Sequence, residues 1–390
     1  MSPRSAANSL ESDLHDLEEI AESHLLDNAA HTDSTAEWPE RGIRALQNAG
    51  FGGFVVPTKF GGRGQGLLAL SRGSEILGRA CASTAICFGM HCVGASVLAA
   101  QATPYQVERY LRPISEGRHL TTLALSEPGT GAHFYYPQTT LRPSSDGQIV
   151  IEGTKTFVTN GGHADSYIIS VMDEDDHGAT RFSCVAVDDG MPGMTWGDAW
   201  QGFGMRGNDS RALRLDQVSL PAGNLLGSEG DQIWYVFNVV APYFLIAMSG
   251  VYLGVADAAL KLVRQHLISR EHTHSGMNLA DSNIVQHRFA TLWSKLQAVR
   301  QLVHDAAGSF DRAEDDAVIK VMVSKAEVAE TATSIVNEAM SMMGGIAYRD
   351  GAHMQRLLRD VRAAHVMAPT TDLLRLWAGR MLLGRPVLGE

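Results

Sequence analysis

The chain has 390 residues, 45% of them hydrophobic and 19% charged, with a formal net charge of −11. That length and apolar content suit two or three packed domains, and the acidic balance argues against nucleic acid or an anionic membrane as a bulk electrostatic partner. The cysteines Cys81, Cys87, Cys92 and Cys184 form no CxxC pair. They read as buried thiols of a reducing, cytoplasmic compartment, with no disulfide and no metal site.

The first residues, "MSPRSAANSLESDLHDLEEI", lack the apolar stretch of a secretory leader. Leu10, Leu14, Leu17 and Ile20 then recur on one helical face. "TAEWPERGIRALQNAG" predicts a helix closed by Gly50, and "VVPTKFGGRGQG" a glycine-rich loop. In "ALSRGSEILGRACASTAICFGMHCVGASVLAAQ" small and apolar residues lie almost all round, as in helices buried on several sides. From Leu120 the character changes. "TTLALSEP", "GQIVIEGTKTFVTNG", "SYIISVM", "RFSCVAV", "GMTWGD" and "ALRLDQVSL" are short β-rich runs between turn residues. No βαβ alternation appears, which excludes a Rossmann fold. Helical periodicity returns near Asp231, and "IWYVFNVVAPYFLIAM", interrupted by Asn238 and Pro242, reads as a buried helix and not a membrane span. After the interruption "SREHTHSGMNLADSN", helices are predicted over 282–311, 315–343, 352–366 and 371–383, long enough for a four-helix-type bundle. The expected α+β architecture is a helical domain over 1–118, a β-domain over 119–228 and a helical bundle over 229–390.

Three stretches suggest a ligand site. "LALSEPGTGAHF" follows a strand, and Gly129 and Gly131 permit close approach of main-chain N–H groups to a ligand, or form an ordinary turn. "EGTKTFVTNGG" reads as strand, turn, strand, with Phe157 and Thr159 on one face. An aromatic wall beside a hydroxyl suits a flat heteroaromatic ligand. "RAAHVMAPTTDLLRLWAGR" is two helical runs broken at Ala368-Pro369, where Thr370 and Thr371 can cap the second run. Arg359 and Asp360 read as a solvated ion pair.

In this order and spacing the chain resembles the acyl-CoA dehydrogenase superfamily. "PTKFGGRGQG", "ALSEPGTGA", "GTKTFVTNGG", "GFGMRGNDSRALRLDQVSLPAGNLLG", "MMGGIAY" and "RLLRD" are similar to its successive signatures. The resemblance implies FAD, a homotetramer or homodimer, and an electron-transfer flavoprotein or flavin reductase as redox partner. It places Leu125 and Ser126 at the isoalloxazine edge, with Gly131 and Ala132 near the ring and pyrophosphate. Phe157 stands where the family has tryptophan, and Thr159 would hydrogen-bond flavin N5. Arg270 and Gln286 would reach the FAD of a neighbouring subunit. Ser341, Gly344 and Gly345 would serve the adenine half, and Thr370 and Asp372 would touch the cofactor again. A substrate pocket of His91, Cys92, His133, Tyr135, Phe244 and Ala368 is implied.

The family's usual catalytic glutamate is absent. Its two known positions align with Ala368 and Phe244, neither of which accepts a proton. His91 is the candidate replacement base. Three readings stay open: oxidation of an unusual CoA- or carrier-bound thioester, oxygenation of a small molecule by reduced flavin, and a flavin-bound protein without turnover.

Overall fold

The computed structural model describes residues 9–173, 182–228 and 232–388. The first part is helical: α1 (Leu10–Ile20), α2 (Ala29–Thr35), α3 (Glu40–Asn48), α4 (Leu67–Ala80), α5 (Ala82–Ala100), and the short α6 (Pro104–Gln106) and α7 (Arg112–Ser115). Ser9 caps α1 by accepting the Ser12 N–H, and Leu14 and Leu17 face the core. The small residues of α5 let neighbours approach from every side, and it is buried along nearly its whole length.

The β-domain is one sheet in the order β6-β7-β3-β2-β4-β5-β8, with β1 beside β4. Its strands are β1 (Thr121–Ala124), β2 (Thr140–Pro143), β3 (Gln148–Val158), β4 (Ser166–Asp173), β5 (Phe182–Asp188), β6 (Met194–Trp196), β7 (Arg211–Pro221) and β8 (Leu225–Leu226). Pairing is antiparallel except for β1–β4 and β2–β4. The sequence predicted a turn inside "EGTKTFVTNGG", but β3 runs unbroken through Val158. The turn residues are absorbed by register shifts against β7 between Ile151 and Gly153 and between Lys155 and Val158. The second irregularity sets Phe157 at φ 54, a conformation non-glycine residues seldom adopt.

The last part begins with α8 (Gln232–Tyr235), which passes through a π turn at Val236–Val240 into the 29-residue α9 (Ala241–Ser269). Pro242 lies just after the π turn, inside the continuous helical run, and has no N–H to give to its hydrogen-bond ladder. The expected interruption is a small hairpin, β9 (Glu271–His272) with β10 (Met277–Asn278). Then come α10 (Asn283–Asp311), α11 (Ala317–Met343), α12 (His353–Val361), α13 (Ala363–Val366) and α14 (Thr371–Leu382). Two helices, Ala82–Ala100 and Val236–Ser269, are long and apolar enough to cross a membrane, yet 94% and 89% of their most apolar stretches lie inside the fold.

The helical parts are locked where α4 crosses α9. A Cβ added to Gly250 would lie 2.3 Å from the Ser71 carbonyl oxygen, and one on Gly254 2.3 Å from that of Glu75. Only glycine permits this approach. Gly250→Val should lower the unfolding free energy by about 3 kcal/mol through overpacking, read as a reduced urea midpoint.

Candidate functional site

A cavity of about 900 Å³ opens where the β-domain meets the helices. On the sheet side its wall is the loop after β1 and the end of β3: Leu125, Ser126, Gly131, Ala132, Phe134, Phe157 and Thr159. Phe157 remains 64% exposed, with Trp200 edge-on at 6.0 Å between ring centres. The bulged backbone thus turns an aromatic face outward instead of into the sheet. Thr159 is buried, and its hydroxyl lies 3.2 Å from that of Ser210, another wall residue. No atom stands within 4 Å of where a Gly131 Cβ would be, so the turn is open at that point.

The loop is held from behind by a buried ion pair. Lys155 Nζ contacts Glu127 Oε1 at 2.5 Å and also donates to the Ser170 carbonyl and hydroxyl at 2.6 and 2.9 Å. Glu127 Oε1 further accepts the Thr139 N–H and hydroxyl, and Oε2 accepts the Gln138 N–H. Burial pushes the Glu127 carboxyl up, but the Lys155 charge and these bonds outweigh it and hold the carboxyl below its usual value. Burial draws the Lys155 amine down to about 8 against the pull of Glu127.

The helical wall contains Met90, Val240, Ala241 and Phe244, then Arg359 and Arg362, and the corner residues Val366 through Thr370. Thr370 is the N-cap of α14 with no side-chain capping bond, and the Thr371 hydroxyl is buried without a partner. The first-turn N–H groups of α14 therefore meet the cavity edge as a concentration of donors.

Several expected residues lie elsewhere. His91 is buried behind the wall, and both its ring nitrogens are engaged. Nδ1 accepts the Thr121 N–H at 3.1 Å, which leaves Nε2 to donate to the Gly52 carbonyl at 2.8 Å. Burial lowers its basicity. His91 bridges α5, β1 and the 50s loop, and it is not among the residues that line the cavity. Cys92 is buried in α5 off the cavity. His133 is exposed, and Tyr135 packs against Trp377 with the rings tilted, so that of the aromatics of this loop Phe134 lines the wall. Of the implied substrate pocket, Phe244 and Ala368 line the cavity. Arg270, Gln286, Ser341, Gly344, Gly345 and Asp372 are all on the surface and outside it. Arg359 and Asp360 do not pair with each other. Arg359 bonds Asp33 and the Phe203 carbonyl, and Asp360 is buried, accepts the Met205 N–H at 2.6 Å and is pushed by burial up to about 6.

The sequence missed Met90, Trp200, Phe203 and Ser210, all of which line the cavity. The run "WGDAWQGFGMRG" carried a signal for two of them: aromatics amid glycines, between strands. Among the described lining residues Glu127 is the only carboxylate, and both its oxygens are occupied. The cavity can bind and orient a flat ligand through apolar faces, hydroxyls and a helix N-terminus, but it presents no free carboxylate.

The family models for the N-terminal, middle and C-terminal domains of acyl-CoA dehydrogenase match residues 14–118, 122–218 and 243–383. Cyclohexane-1-carbonyl-CoA dehydrogenase of Geobacter metallireducens is 29% identical over 94% of this chain and 95% of its own. The structure of butyryl-CoA dehydrogenase from Megasphaera elsdenii superposes with a TM-score of 0.91 at 25% identity, covering 97% of this chain and 99% of that one. A prolyl acyl carrier protein oxidase shares the fold, with a TM-score of 0.88 at 20% identity over 97% of this chain and 100% of that one.

Two substitutions probe the supports of the site. Lys155→Met, which strands the Glu127 charge, should cost about 3–5 kcal/mol in urea unfolding, and adding Glu127→Gln should recover much of it. His91→Ala should lower stability by about 2–4 kcal/mol through two orphaned main-chain groups. In flavin-loaded protein it should change the reduction rate by less than about tenfold, whereas loss of a base costs about 10²–10⁴.

Proposed function

This chain belongs to the acyl-CoA dehydrogenase superfamily, and we propose that it is an FAD-dependent oxidoreductase that oxidises an acyl thioester carried by coenzyme A or a carrier protein. The observation behind this reading is the convergence on one cavity of the Phe157–Thr159 strand end, the open Gly131 turn and the N-terminus of α14. These residues fit the cofactor. The exposed Phe157 face and the apolar Leu125 suit a flat ring system. The Thr159 and Ser126 hydroxyls suit its polar edge, and the orphan Thr371 hydroxyl and uncapped α14 N-terminus suit electron-rich ring oxygens. Bound FAD supplies a two-electron acceptor for hydride.

The chain's own groups do the rest. Met90, Val240, Ala241, Phe244 and Met367 give the opposite wall an apolar surface for an acyl chain and exclude water from it. Thr159, buttressed by Ser210, fixes the ring edge. The surface set Arg270, Gln286, Ser341 and Gly344-Gly345 suits contact with a cofactor in a second copy, which supports a homotetramer or homodimer. An electron-transfer flavoprotein is the fitting acceptor.

The proton released on oxidation finds no free side-chain carboxylate in the cavity. That observation favours a second reading, a reduced-flavin monooxygenase fed by a flavin reductase. Anaerobic titration of FAD-loaded protein with saturated CoA and carrier thioesters separates the two. Bleaching of the flavin is expected. No bleaching, but oxygen uptake with an added reductase, supports the second reading. Bound FAD inert to both leaves a binding protein, and a colourless protein that cannot be reconstituted with FAD ends the flavin reading. Thr370→Val should weaken FAD binding by about tenfold, the worth of one hydrogen bond, measured by fluorescence of the apoprotein titration.

A further inference from the structure

One buried charge has no place in the reading above. Lys325 lies in the middle of α11, fully buried. No carboxylate among the described residues pairs with it, in contrast to Lys155. Its Nζ instead donates to three main-chain oxygens, those of Ala364 at 3.0 Å, Met367 at 3.3 Å and Pro369 at 3.0 Å. An ammonium has three hydrogens and no acceptor. Three carbonyls converging on it therefore match the protonated form hydrogen for hydrogen. A neutral amine would turn its lone pair against one of them. Burial draws the amine down to about 8, which still leaves it charged at neutral pH.

The Met367 and Pro369 oxygens lie on the segment that joins α13 to α14, and that of Ala364 lies within α13. Met367, Ala368, Pro369 and Thr370 from that segment all line the cavity. The segment has few bonds of its own. Met367 N–H closes the end of α13 on Ala363, Thr370 O begins α14 by accepting from Leu374, and Pro369 has no N–H to give. Lys325 supplies the cross-link that both helices leave unmade. It reaches the segment from α11 and is not among the residues that line the cavity, so the charge stands behind the wall and not in it.

We propose that Lys325 is a positioning residue for the flavin. It ties the corner in the shape that presents Thr370 and the α14 N-terminus to the cofactor, and its buried charge favours the reduced, more electron-rich form of the ring. The inference rests on the flavin reading given above. A cation in low-dielectric surroundings acts across a wall with little screening, in the same sense as the positive end of α14. Burial is the only influence resolved on its proton. No titratable side chain of α9, α12, α13 or α14 faces it closely enough to register among the described residues.

The test uses full-length apoprotein and FAD. Lys325→Met keeps the length of the side chain and removes the charge. It is expected to weaken FAD binding about tenfold and to lower the reduction equilibrium of bound FAD about tenfold, which is about 30 mV for a two-electron couple. Lys325→Arg, which returns a cation, is expected to restore the potential. Wild-type affinity and potential in Lys325→Met would overturn the proposal, and so would a fall in potential that Lys325→Arg does not reverse, since packing alone would then explain it. Should Lys325→Met not fold, the double variant Lys155→Met/Glu127→Gln decides, because it removes the other buried amine that burial draws down to about 8. In it, FAD affinity falling about tenfold as pH rises through 8 supports the assignment, and constant affinity from pH 7 to 9.5 overturns it. Failure of wild-type protein to take up FAD is a separate result that removes the flavin reading itself.

Discussion

The geometry of the cavity depends on a carboxylate with no oxygen left to give. Glu127 leaves the sheet in a glycine-containing turn, and Lys155, Thr139 and Gln138 consume its acceptors from the strand and loop behind. An ion pair stripped of water contributes little net stability, but it tolerates few alternative arrangements, because any shift strands a charge in an apolar medium. The loop that carries Ser126, Gly131 and Phe134 is thereby registered against β3, whose end carries Phe157 and leads into Thr159. Two segments thirty residues apart in sequence become one wall.

Across the cavity the corresponding support is of a different kind. The corner from Met367 to Thr370 joins α13 to α14 and is tethered to α11 through its main chain. Both walls therefore use a buried lysine. One lysine is neutralised by a carboxylate and one is not, and that difference leaves a net positive charge on the helical side. The wall residues themselves are mostly apolar, and this charge adds to the positive field of the open helix end and of Arg359 and Arg362 on the same side.

The order of helical, β and helical parts could be read from hydrophobic periodicity, and so could the C-terminal ends of α9 and α11, because those features are local. What could not be read depends on distant partners. The bulges of β3 exist because β7 lies beside it out of register, and nothing in "EGTKTFVTNGG" reports β7. His91 advertised itself as a titratable group in an apolar helix, but its role is fixed by where Gly52 and Thr121 stop beside it. Arg359 and Asp360 are neighbours in sequence that point into different surroundings, so adjacency alone misled. Lys155 and Lys325 looked like ordinary strand and helix lysines, since a single sequence does not distinguish a buried lysine from a solvated one. Gly131, Phe157, Thr159, Ala368 and Thr370 stood out because a glycine turn, strand alternation and a proline break each mark backbone that approaches something else, whereas Ser126 and Phe244 were indicated by the family resemblance alone.

The contacts of Lys325 have a further consequence. They fall on carbonyl oxygens, which every amino acid possesses, and not on side chains. Met367 also accepts the Tyr252 hydroxyl at its sulfur, but the identities of Val366 and Ala368 are uncoupled from the scaffold that holds them, and replacement there alters what the wall presents without disturbing where it stands. Such a corner can lose or regain a reactive group in one step, which makes it a natural place for a lineage to exchange one chemistry for another while keeping the rest of the molecule intact.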